Sequence, residues 1–348
     1  MRKIIFLFIV PLMISCSKEK LGPQCISCNT EETATQTTDV LIVNEGTFNW
    51  NNASISLYQP SHKNVLQNIF SQANSSIPLG DVAQSITQLN NKAYIVVNNS
   101  NKIEVVDIQS FKTTTTITGF TSPRYFLPIN TDKAYVTDLY SNSIQIVDLN
   151  NNTITGSIST NGWTEELLLH NDSVYVCDMT NENLLVIDPS NHTLIDSVKL
   201  GENPNSIVLD QNNKIWVLCS GGINSTLAKL IKFNPQNRTI EATFIFPNIS
   251  DSPGNLKINT TGDYLYFLNS DVFKMNINET TLPSTPFISN NNNTFYGLGI
   301  APLNDEIYVS DAIDYVQNGV IFRYSSTGSL IDEFNCGIIP GSFLFLHE

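Results

Sequence analysis

Ala134-Tyr135-Val136-Thr137-Asp138 is the clearest copy of a short segment that recurs along the chain. The other strong copies are Ala93-Tyr94-Ile95-Val96-Val97, Val174-Tyr175-Val176-Cys177-Asp178 and Ile307-Tyr308-Val309-Ser310-Asp311. Each copy is rich in β-branched and aromatic residues, which favour a strand over a helix. With weaker copies at Ile215 and Leu265, the period is about forty residues, which is typical of propeller blades.

Each recurring segment has apolar neighbours at constant offsets. A second run follows it, as in Ile144 to Asp148, and turn residues and a third strand come next, as in Thr193 to Leu200. Another apolar run precedes it, as in Ser206 to Leu209, with a polar turn between the two. The repeated unit is therefore predicted to be a four-stranded antiparallel meander.

The number of units predicts an all-β fold, a seven-bladed β-propeller. Full units are expected to begin near Val82, Pro123, Thr164, Pro204, Pro253 and Phe295. Val40 to Phe70 supplies three strands without an inner one, and Gly341 to Leu346 supplies an inner strand without a blade. The N- and C-terminal strands are thus expected to pair in one blade, which removes exposed sheet edges.

The N-terminus predicts export and lipid attachment. Residues 1–15 read as a signal peptide, with Arg2 and Lys3 before a short apolar run, and Ser15-Cys16 resembles a bacterial lipobox. Cys16 is the predicted lipidation site; an ordinary secretory signal is the alternative. Residues 16–39 are expected to be a flexible tether, and residues 40–348 the propeller. Ser17 after the cysteine favours the outer membrane, and the cell surface is the expected side.

The charge of the chain excludes some partners. The sequence has 18 Lys and Arg against 32 Asp and Glu, a net charge of −14, and loss of residues 1–15 leaves 16 basic residues. A strongly acidic protein repels phosphate backbones and anionic lipid, so nucleic acid is not an expected partner. Attachment to a membrane is expected through the lipid alone.

The remaining cysteines point to no metal centre. Cys25 and Cys28 lie in the tether, where a local disulfide competes with a zinc site that lacks a second pair of ligands. Cys177, Cys219 and Cys336 fall in or beside apolar strand runs and are interpreted as small buried hydrophobic residues.

The two faces of the predicted propeller differ. The connections after the second strand of a blade, such as Glu45 to Asn52 and Ser220 to Thr226, are long, and binding residues usually lie on such loops. All four histidines, His62, His170, His192 and His347, are expected on the opposite face. A histidine-based hydrolase at the long loops is therefore excluded, and the chain is predicted not to be an enzyme.

Polar residues recur where the second strand of a blade ends: Asn44, Asp138, Asp178, Asn269 and Asp311. A ring of calcium ligands is one interpretation, and caps of the following turns are the other. Repetition in many blades favours caps, because a functional site would be singular. Glu45, Asp81 and Glu165 remain an alternative metal group, although no metal is predicted.

The predicted ligand site lies at the axis of the long-loop face. The first strand of successive blades begins with Gln84, Arg124, Glu165, Asn205, Gly254, Tyr296 and Gly341. These positions differ in chemistry from blade to blade, as an asymmetric ligand requires. Nearby loops add the aromatic residues Phe48, Trp50, Tyr125, Tyr140, Trp163, Phe295 and Tyr315, whose alternative role is to plug the channel.

Tyr135-Val136-Thr137-Asp138 resembles the signature of the YVTN seven-bladed propellers. A closer resemblance is to surface propeller lipoproteins that capture cobalamin, and it rests on Leu41 to Gly46, Leu79 to Val82 and Asn101 to Asp107. This resemblance implies capture of cobalamin as a ligand, with no cofactor, and its transfer to a TonB-dependent outer-membrane transporter. The residues named above would contact that ligand.

Two other functions remain open at this point. Related propellers include sugar lactonases, so a metal-dependent lactonase is the first alternative. A propeller that binds protein or glycan is the second, and an apolar patch spread over the rim would indicate it.

Overall fold

The computed structural model describes residues 38–346, and these form seven antiparallel β-sheets arranged as blades around one axis. We letter the strands of a blade A to D from the axis outward. The A strands of neighbouring blades contact each other around the whole ring. The predicted seven-bladed propeller is confirmed. No helix within residues 38–346 is long and apolar enough to span a membrane.

The strands of each class follow the chain in order. The A strands are β4 (Ala83–Leu89), β8 (Pro123–Pro128), β12 (Thr164–His170), β16 (Pro204–Leu209), β20 (Gly254–Ile258), β23 (Phe295–Ile300) and β27 (Pro340–Phe345). The B strands are β1 (Val40–Asn44), β5 (Lys92–Val97), β9 (Lys133–Asp138), β13 (Ser173–Asp178), β17 (Ile215–Cys219), β21 (Tyr264–Asn269) and β24 (Ile307–Asp311). The C strands are β2 (Ser54–Gln59), β6 (Lys102–Asp107), β10 (Ser143–Asp148), β14 (Asn183–Asp188), β18 (Lys229–Asn234), β22 (Asp271–Asn276) and β25 (Asn318–Tyr324). The D strands are β3 (Asn64–Leu66), β7 (Thr113–Thr118), β11 (Thr153–Ser159), β15 (Thr193–Lys199), β19 (Thr239–Ile245) and β26 (Leu330–Ile338).

The hydrophobic core lies between neighbouring blades. Tyr94 of β5 stacks on Phe126 of β8 with ring centroids 4.4 Å apart, and Val136 of β9 packs in the same cluster. The B strands are buried almost completely, which explains why their sequence repeats most clearly. The cysteines Cys177, Cys219 and Cys336 are buried in these layers with free thiols, as predicted.

The ring closes in the first blade, as the sequence predicts. Strand β27 pairs antiparallel with β1, with Ile42 opposite Phe343. Next to this closure Arg323 donates to both carboxylate oxygens of Glu306, at 2.8 Å each, and Tyr58 of β2 donates to Asp332 of β26 at 2.6 Å. Tyr58 therefore joins the first blade to the last through hydrogen bonds with Asp332 and Arg323, and the buried ion pair lies within the last blade.

One prediction about a single blade is wrong. The sixth blade has three strands, β20 to β22, because its outer segment contains Pro283 and Pro286, which lack the N–H that a strand ladder needs. Only an isolated bridge between Val272 and Ile288 covers that edge. The first blade has the three strands predicted between Val40 and Phe70, and a short helix, α1 (Ile69–Ala73), follows β3.

Several predictions concern residues outside the described range. These are the signal peptide 1–15, the lipidation of Cys16, most of the tether, the state of Cys25 and Cys28, and the position of His347.

Candidate functional site

The B–C loops within blades and the D–A loops between them form one face of the ring, which we call the long-loop face. Most exposed large apolar side chains outside the strands lie on it: Phe48, Trp50, Tyr140, Ile223, Leu227, Ile249, Ile313, Tyr315 and Val316. Among the described residues outside the strands, the exposed large apolar side chain on the opposite face is Leu303. Exposed apolar surface concentrated on one face marks a binding surface more often than chance exposure.

Each A strand carries a register irregularity at its start. The pairing of β4 with β5, for example, shifts between Ala83 and Ser85, and Gln84 lies at the bulge. The same shift recurs in the other blades at Arg124, Glu165, Asn205, Asn255, Tyr296 and Gly341. Bulges of this kind change the direction of a side chain. In the sixth blade the axial position belongs to Asn255, and the sequence-based choice of Gly254 was one residue too early.

A hydrogen-bonded network surrounds Arg124 at the axis. Its Nε and Nη2 donate to the two carboxylate oxygens of Glu165, at 2.8 and 3.1 Å, and its Nη1 donates to Gln84. The indole of Trp163 also donates to Glu165, and its ring lies 5.8 Å from the guanidinium carbon. Burial raises the pKa of Glu165, while Arg124 opposes that shift. Four residues predicted from three different blades are therefore brought together.

A second network joins Glu45 and Tyr296. The phenol of Tyr296 donates to both oxygens of Glu45, at 3.0 and 3.1 Å, and its ring makes an edge contact with Tyr315. Burial raises the pKa of Glu45 to about 7; the bond from Tyr296 and the charge of Arg124 oppose this rise. A carboxyl group with this pKa both accepts and donates protons near neutral pH.

A cavity of about 450 Å³ lies along the axis between these networks. Its wall includes the predicted residues Gln84, Tyr125 and Tyr296. It also includes Glu166 and Lys257, which form an ion pair at 3.3 Å and were missed from the sequence. Glu166 is the third residue of β12 and Lys257 is the fourth residue of β20. Side chains alternate between the two faces of a strand, and this alternation, counted from the bulge, is the sequence signal that could have identified both residues.

The remaining predicted site residues are more dispersed. Phe48, Trp50 and Tyr140 are exposed by 62%, 71% and 68%, and none of them stacks on another aromatic ring. Asn205 donates to the backbone oxygen of Pro253 at 3.2 Å, apart from the Arg124 network. Phe295 packs against Phe322, away from the mouth. Contact of these residues with a ligand stays a prediction.

Three of the five recurring polar residues at the ends of B strands cap the following turns: Asp138, Asp178 and Asp311. Asn44 instead bonds to Ser54 and Ser56 of β2, and Asn269 bonds to Ser252 and Asp251. The carboxylate of Asp138 accepts bonds from the backbone N–H groups of Tyr140 and Ser141 in the B–C loop, and from Ser122 in the preceding D–A loop, all at 2.9 Å. Asp311 is bonded in the same way. Among residues 38–346, no three acidic, histidine or cysteine side chains converge as metal ligands. Glu45, Asp81 and Glu165 each have a different hydrogen-bond partner.

The histidines within residues 38–346 lie on the short-turn face, as predicted from the repeat. His62 and His170 bond to the adjacent Ser61 and Asn171. His192 is more than a solvent-facing residue, because its ring bonds to the hydroxyl of Tyr135 at 2.6 Å.

Comparisons with known proteins identify a matching family and solved structures with a similar fold. The family described as a domain of unknown function (DUF5074) matches residues 38–345. No curated protein matches the chain in sequence.

Solved structures match over most of the chain at low identity. A quinoprotein alcohol dehydrogenase-like protein from Bacteroides thetaiotaomicron is 16% identical with a TM-score of 0.70, over 89% of this chain and 78% of that one. The periplasmic gluconolactonase of Pseudomonas aeruginosa is 10% identical with a TM-score of 0.67, over 89% and 99%. Virginiamycin B lyase from Staphylococcus aureus is 15% identical with a TM-score of 0.61, over 75% and 87%. At these identities the similarity is evidence for the fold alone.

These comparisons contradict the prediction that the chain is not an enzyme. Structures described as a gluconolactonase and as putative 6-phosphogluconolactonases share its fold, so this fold is compatible with catalysis and the prediction does not stand. The structure also contains an acid–base group other than histidine on this face: Glu45 faces the axial cavity, and burial raises its pKa to about 7. An acid–base group on this face does not require histidine.

Proposed function

The chain belongs to the family described as a domain of unknown function (DUF5074), and we propose that it binds cobalamin on its long-loop face. The observation that carries this proposal is the concentration of exposed apolar and aromatic side chains around a polar axial cluster. Trp50, Tyr140 and Phe48 are the most exposed aromatic rings on that face, and Arg124 occupies its centre.

The chemistry of the face suits a broad disc with an amide-bearing rim, which is the form of a corrin. Exposed rings bury much apolar area when a flat ligand covers them. Arg124 has five N–H donors, of which Glu165 and Gln84 take three, so two remain for amide oxygens of a ligand. Glu45, when protonated, adds a donor, and when ionised it accepts from an amide N–H.

The scaffold favours tight binding. Arg124 is fixed by a bidentate bond to Glu165, and the axial residues project from bulged strands instead of free loops. A site that is ordered before binding loses little conformational entropy on binding.

The cellular setting is part of the same proposal. Cys16 anchors the chain by lipid to the outer membrane, and the propeller transfers cobalamin to a TonB-dependent receptor. The lipobox resemblance at Ser15-Cys16 and the acidic composition, which gives no other means of membrane attachment, support this setting.

Isothermal titration calorimetry with cyanocobalamin tests the binding proposal. We expect saturable one-to-one binding that EDTA does not weaken, because the residues named are not metal ligands. The absence of binding heat, together with unchanged melting temperature at excess cyanocobalamin, would refute it.

A second candidate function is lactone hydrolysis, which the raised pKa of Glu45 favours. The ionised carboxylate would take a proton from water as that water attacks the lactone carbonyl carbon. The ring C–O bond then breaks, and the leaving oxygen takes up the proton to give a hydroxy acid. The gluconolactonase with the same fold supports this candidate.

A pH-stat assay with glucono-δ-lactone tests the second candidate. We expect Glu45→Gln to abolish any turnover above the spontaneous rate, whereas Glu241→Gln, a change at an exposed outer position, should preserve it. Equal rates for the wild-type protein and for buffer alone would eliminate this substrate.

A further inference from the structure

Two motifs that the fold does not explain meet in space on the long-loop face. Leu41–Gly46 ends β1, and Leu79–Val82 precedes β4. The backbone N–H of Ala83 donates to the oxygen of Glu45 at 3.3 Å, and that of Ala53 donates to the oxygen of Gly80 at 3.1 Å. The second motif therefore lies against the base of the loop between β1 and β2.

That loop carries Phe48 and Trp50, two of the three most exposed aromatic rings of the long-loop face. Its base is closed by the bond from the N–H of Thr47 to the side-chain oxygen of Asn52, at 2.8 Å. Its tip is a turn, in which the N–H of Trp50 donates to the oxygen of Thr47 at 3.0 Å. Asn49 lies between Phe48 and Trp50 with a φ of 67°. The conformation of Asn49 thus sets the direction of both rings.

Asp81 holds Asn49 in this conformation. Its Oδ2 accepts a bond from the backbone N–H of Asn49 at 2.8 Å and a second from the side-chain amide of Asn99 at 2.7 Å. The same amide of Asn99 donates to the side-chain oxygen of Asn49 at 3.2 Å. The other carboxylate oxygen, Oδ1, is buried without a partner among the described residues. A single oxygen atom of Asp81 therefore accepts two bonds, one from the loop itself and one from the Asn99 amide that also contacts the loop.

Asp81 is itself held rigidly. Its N–H donates to the hydroxyl of Ser100 at 2.9 Å, and its backbone oxygen accepts from Asn99 at 3.1 Å. The next residue, Val82, has a φ of 55°, which is strained for a β-branched side chain. A Cβ on Gly80 would lie 2.6 Å from the Ser100 hydroxyl oxygen, so this close approach requires glycine. Strain of this kind persists where the surrounding structure enforces it.

We propose that Asp81 is a positioning residue that fixes Phe48 and Trp50 in the arrangement that receives the ligand. The identity of the ligand rests on the function proposed above, but the bonds of Asp81 to the loop do not. Without them both rings would lose their fixed direction, and binding would have to order them again. Ordering a mobile side chain on binding lowers affinity.

Because Oδ1 of Asp81 has no partner among the described residues, substitution by Asn can be compared with substitution by Ala. Asp81→Ala removes the acceptor of both bonds. Asp81→Asn removes the charge but retains one oxygen that accepts both bonds, and its amide nitrogen takes the place of the unpartnered Oδ1. The two variants therefore separate a positioning role from an attraction of the ligand by charge. Asp188→Ala, which removes a turn cap on the opposite face, is the matched control.

Two readouts are measured for each purified variant. The first is fluorine NMR of protein labelled with 5-fluorotryptophan; the chain has three tryptophans, and Trp50→Phe assigns the signal of Trp50. The second is the affinity for cyanocobalamin by calorimetry. Thermal melting shows whether each variant is folded at the assay temperature, and Asn99→Ala replaces Asp81→Ala if the latter is not.

We expect Asp81→Ala to move the Trp50 signal toward that of free 5-fluorotryptophan and to weaken binding about tenfold. Asp81→Asn and Asp188→Ala should match the wild type in both readouts. An unchanged Trp50 signal in Asp81→Ala, or equal losses in Asp81→Asn and Asp81→Ala, would overturn the proposal. If wild-type protein binds no cyanocobalamin, the proposed function fails, and the NMR signal still decides the role of Asp81.

Discussion

Tyr296 donates its hydroxyl to both carboxylate oxygens of Glu45, and this bond links the last full blade to the loop that follows the first strand of the chain. The two residues are 251 positions apart in sequence, and only ring closure brings them together. Glu45 consequently faces the axial cavity in a site where burial raises its pKa to about 7.

Glu45→Gln should change how stability depends on pH. Between pH 4.5 and about 7 the folded chain keeps a proton that the unfolded chain has lost, so stability falls as the pH rises through this window. The neutral variant lacks this loss, so its stability relative to the wild type should rise by about 3 kcal/mol between pH 4 and pH 8. Urea unfolding at pH 4, 6 and 8 measures this difference.

The control for that measurement is Glu241→Gln. The bond from Lys214 lowers the pKa of Glu241, so its contribution has the opposite sign and is lost as the pH falls through the lowered pKa. A stability gap between wild type and Glu45→Gln that is the same at pH 4 and pH 8 would contradict the raised pKa.

Deletion of residues 340–348 should open the ring. It removes β27, the innermost strand of the first blade, and leaves the inner edge of β1 unpaired. Exposed edges pair with other chains, so we expect aggregation and loss of a single cooperative melting transition. Calorimetric melting and light scattering measure this. A truncated protein that stays monomeric and melts like the full-length chain would show that closure by β27 is dispensable.

Glu306→Ala should be among the most destabilising single changes in the last blade. It leaves the guanidinium of Arg323, which is 5% exposed, without its bidentate partner. Removing one member of a buried ion pair costs about 3–5 kcal/mol. The double variant Glu306→Leu/Arg323→Met should recover most of that loss in chemical unfolding. A loss below about 1 kcal/mol for the single variant would contradict burial of this pair.

Cys16→Ser should release the protein from membranes. We expect a folded, soluble product because the composition of the chain offers neither a basic nor a long apolar segment beyond the signal for attachment. Fractionation of cells followed by immunoblotting measures this. Retention of the variant in the membrane fraction after signal cleavage would contradict lipidation at Cys16.

The fold was predictable because the most buried strand of each blade, the B strand, has a similar sequence in most blades. Tyr135 and its equivalents occupy the same B-strand layer, where packing restricts the choice of residue. The repeat predicts a fourth strand in the sixth blade, but Pro283 and Pro286 in that segment lack the N–H groups that a strand ladder needs.

The candidate site was predictable only in part. The axial positions followed from the repeat, but the bulges shift the register by one residue, so Asn255 and not Gly254 faces the axis. The pairing of Arg124 with Glu165 and of Glu45 with Tyr296 depends on contacts between blades. A single sequence specifies the order of these residues but not the distances between their side chains.

Face-resolved calorimetry tests the central claim most directly. Cyanocobalamin is titrated into the wild type, into Trp50→Ala on the long-loop face and into His62→Ala on the opposite face. We predict that Trp50→Ala loses about 2 kcal/mol of binding free energy, because a large aromatic anchor is removed, while His62→Ala retains wild-type affinity. Equal losses in both variants, or no binding by the wild type, would contradict the account.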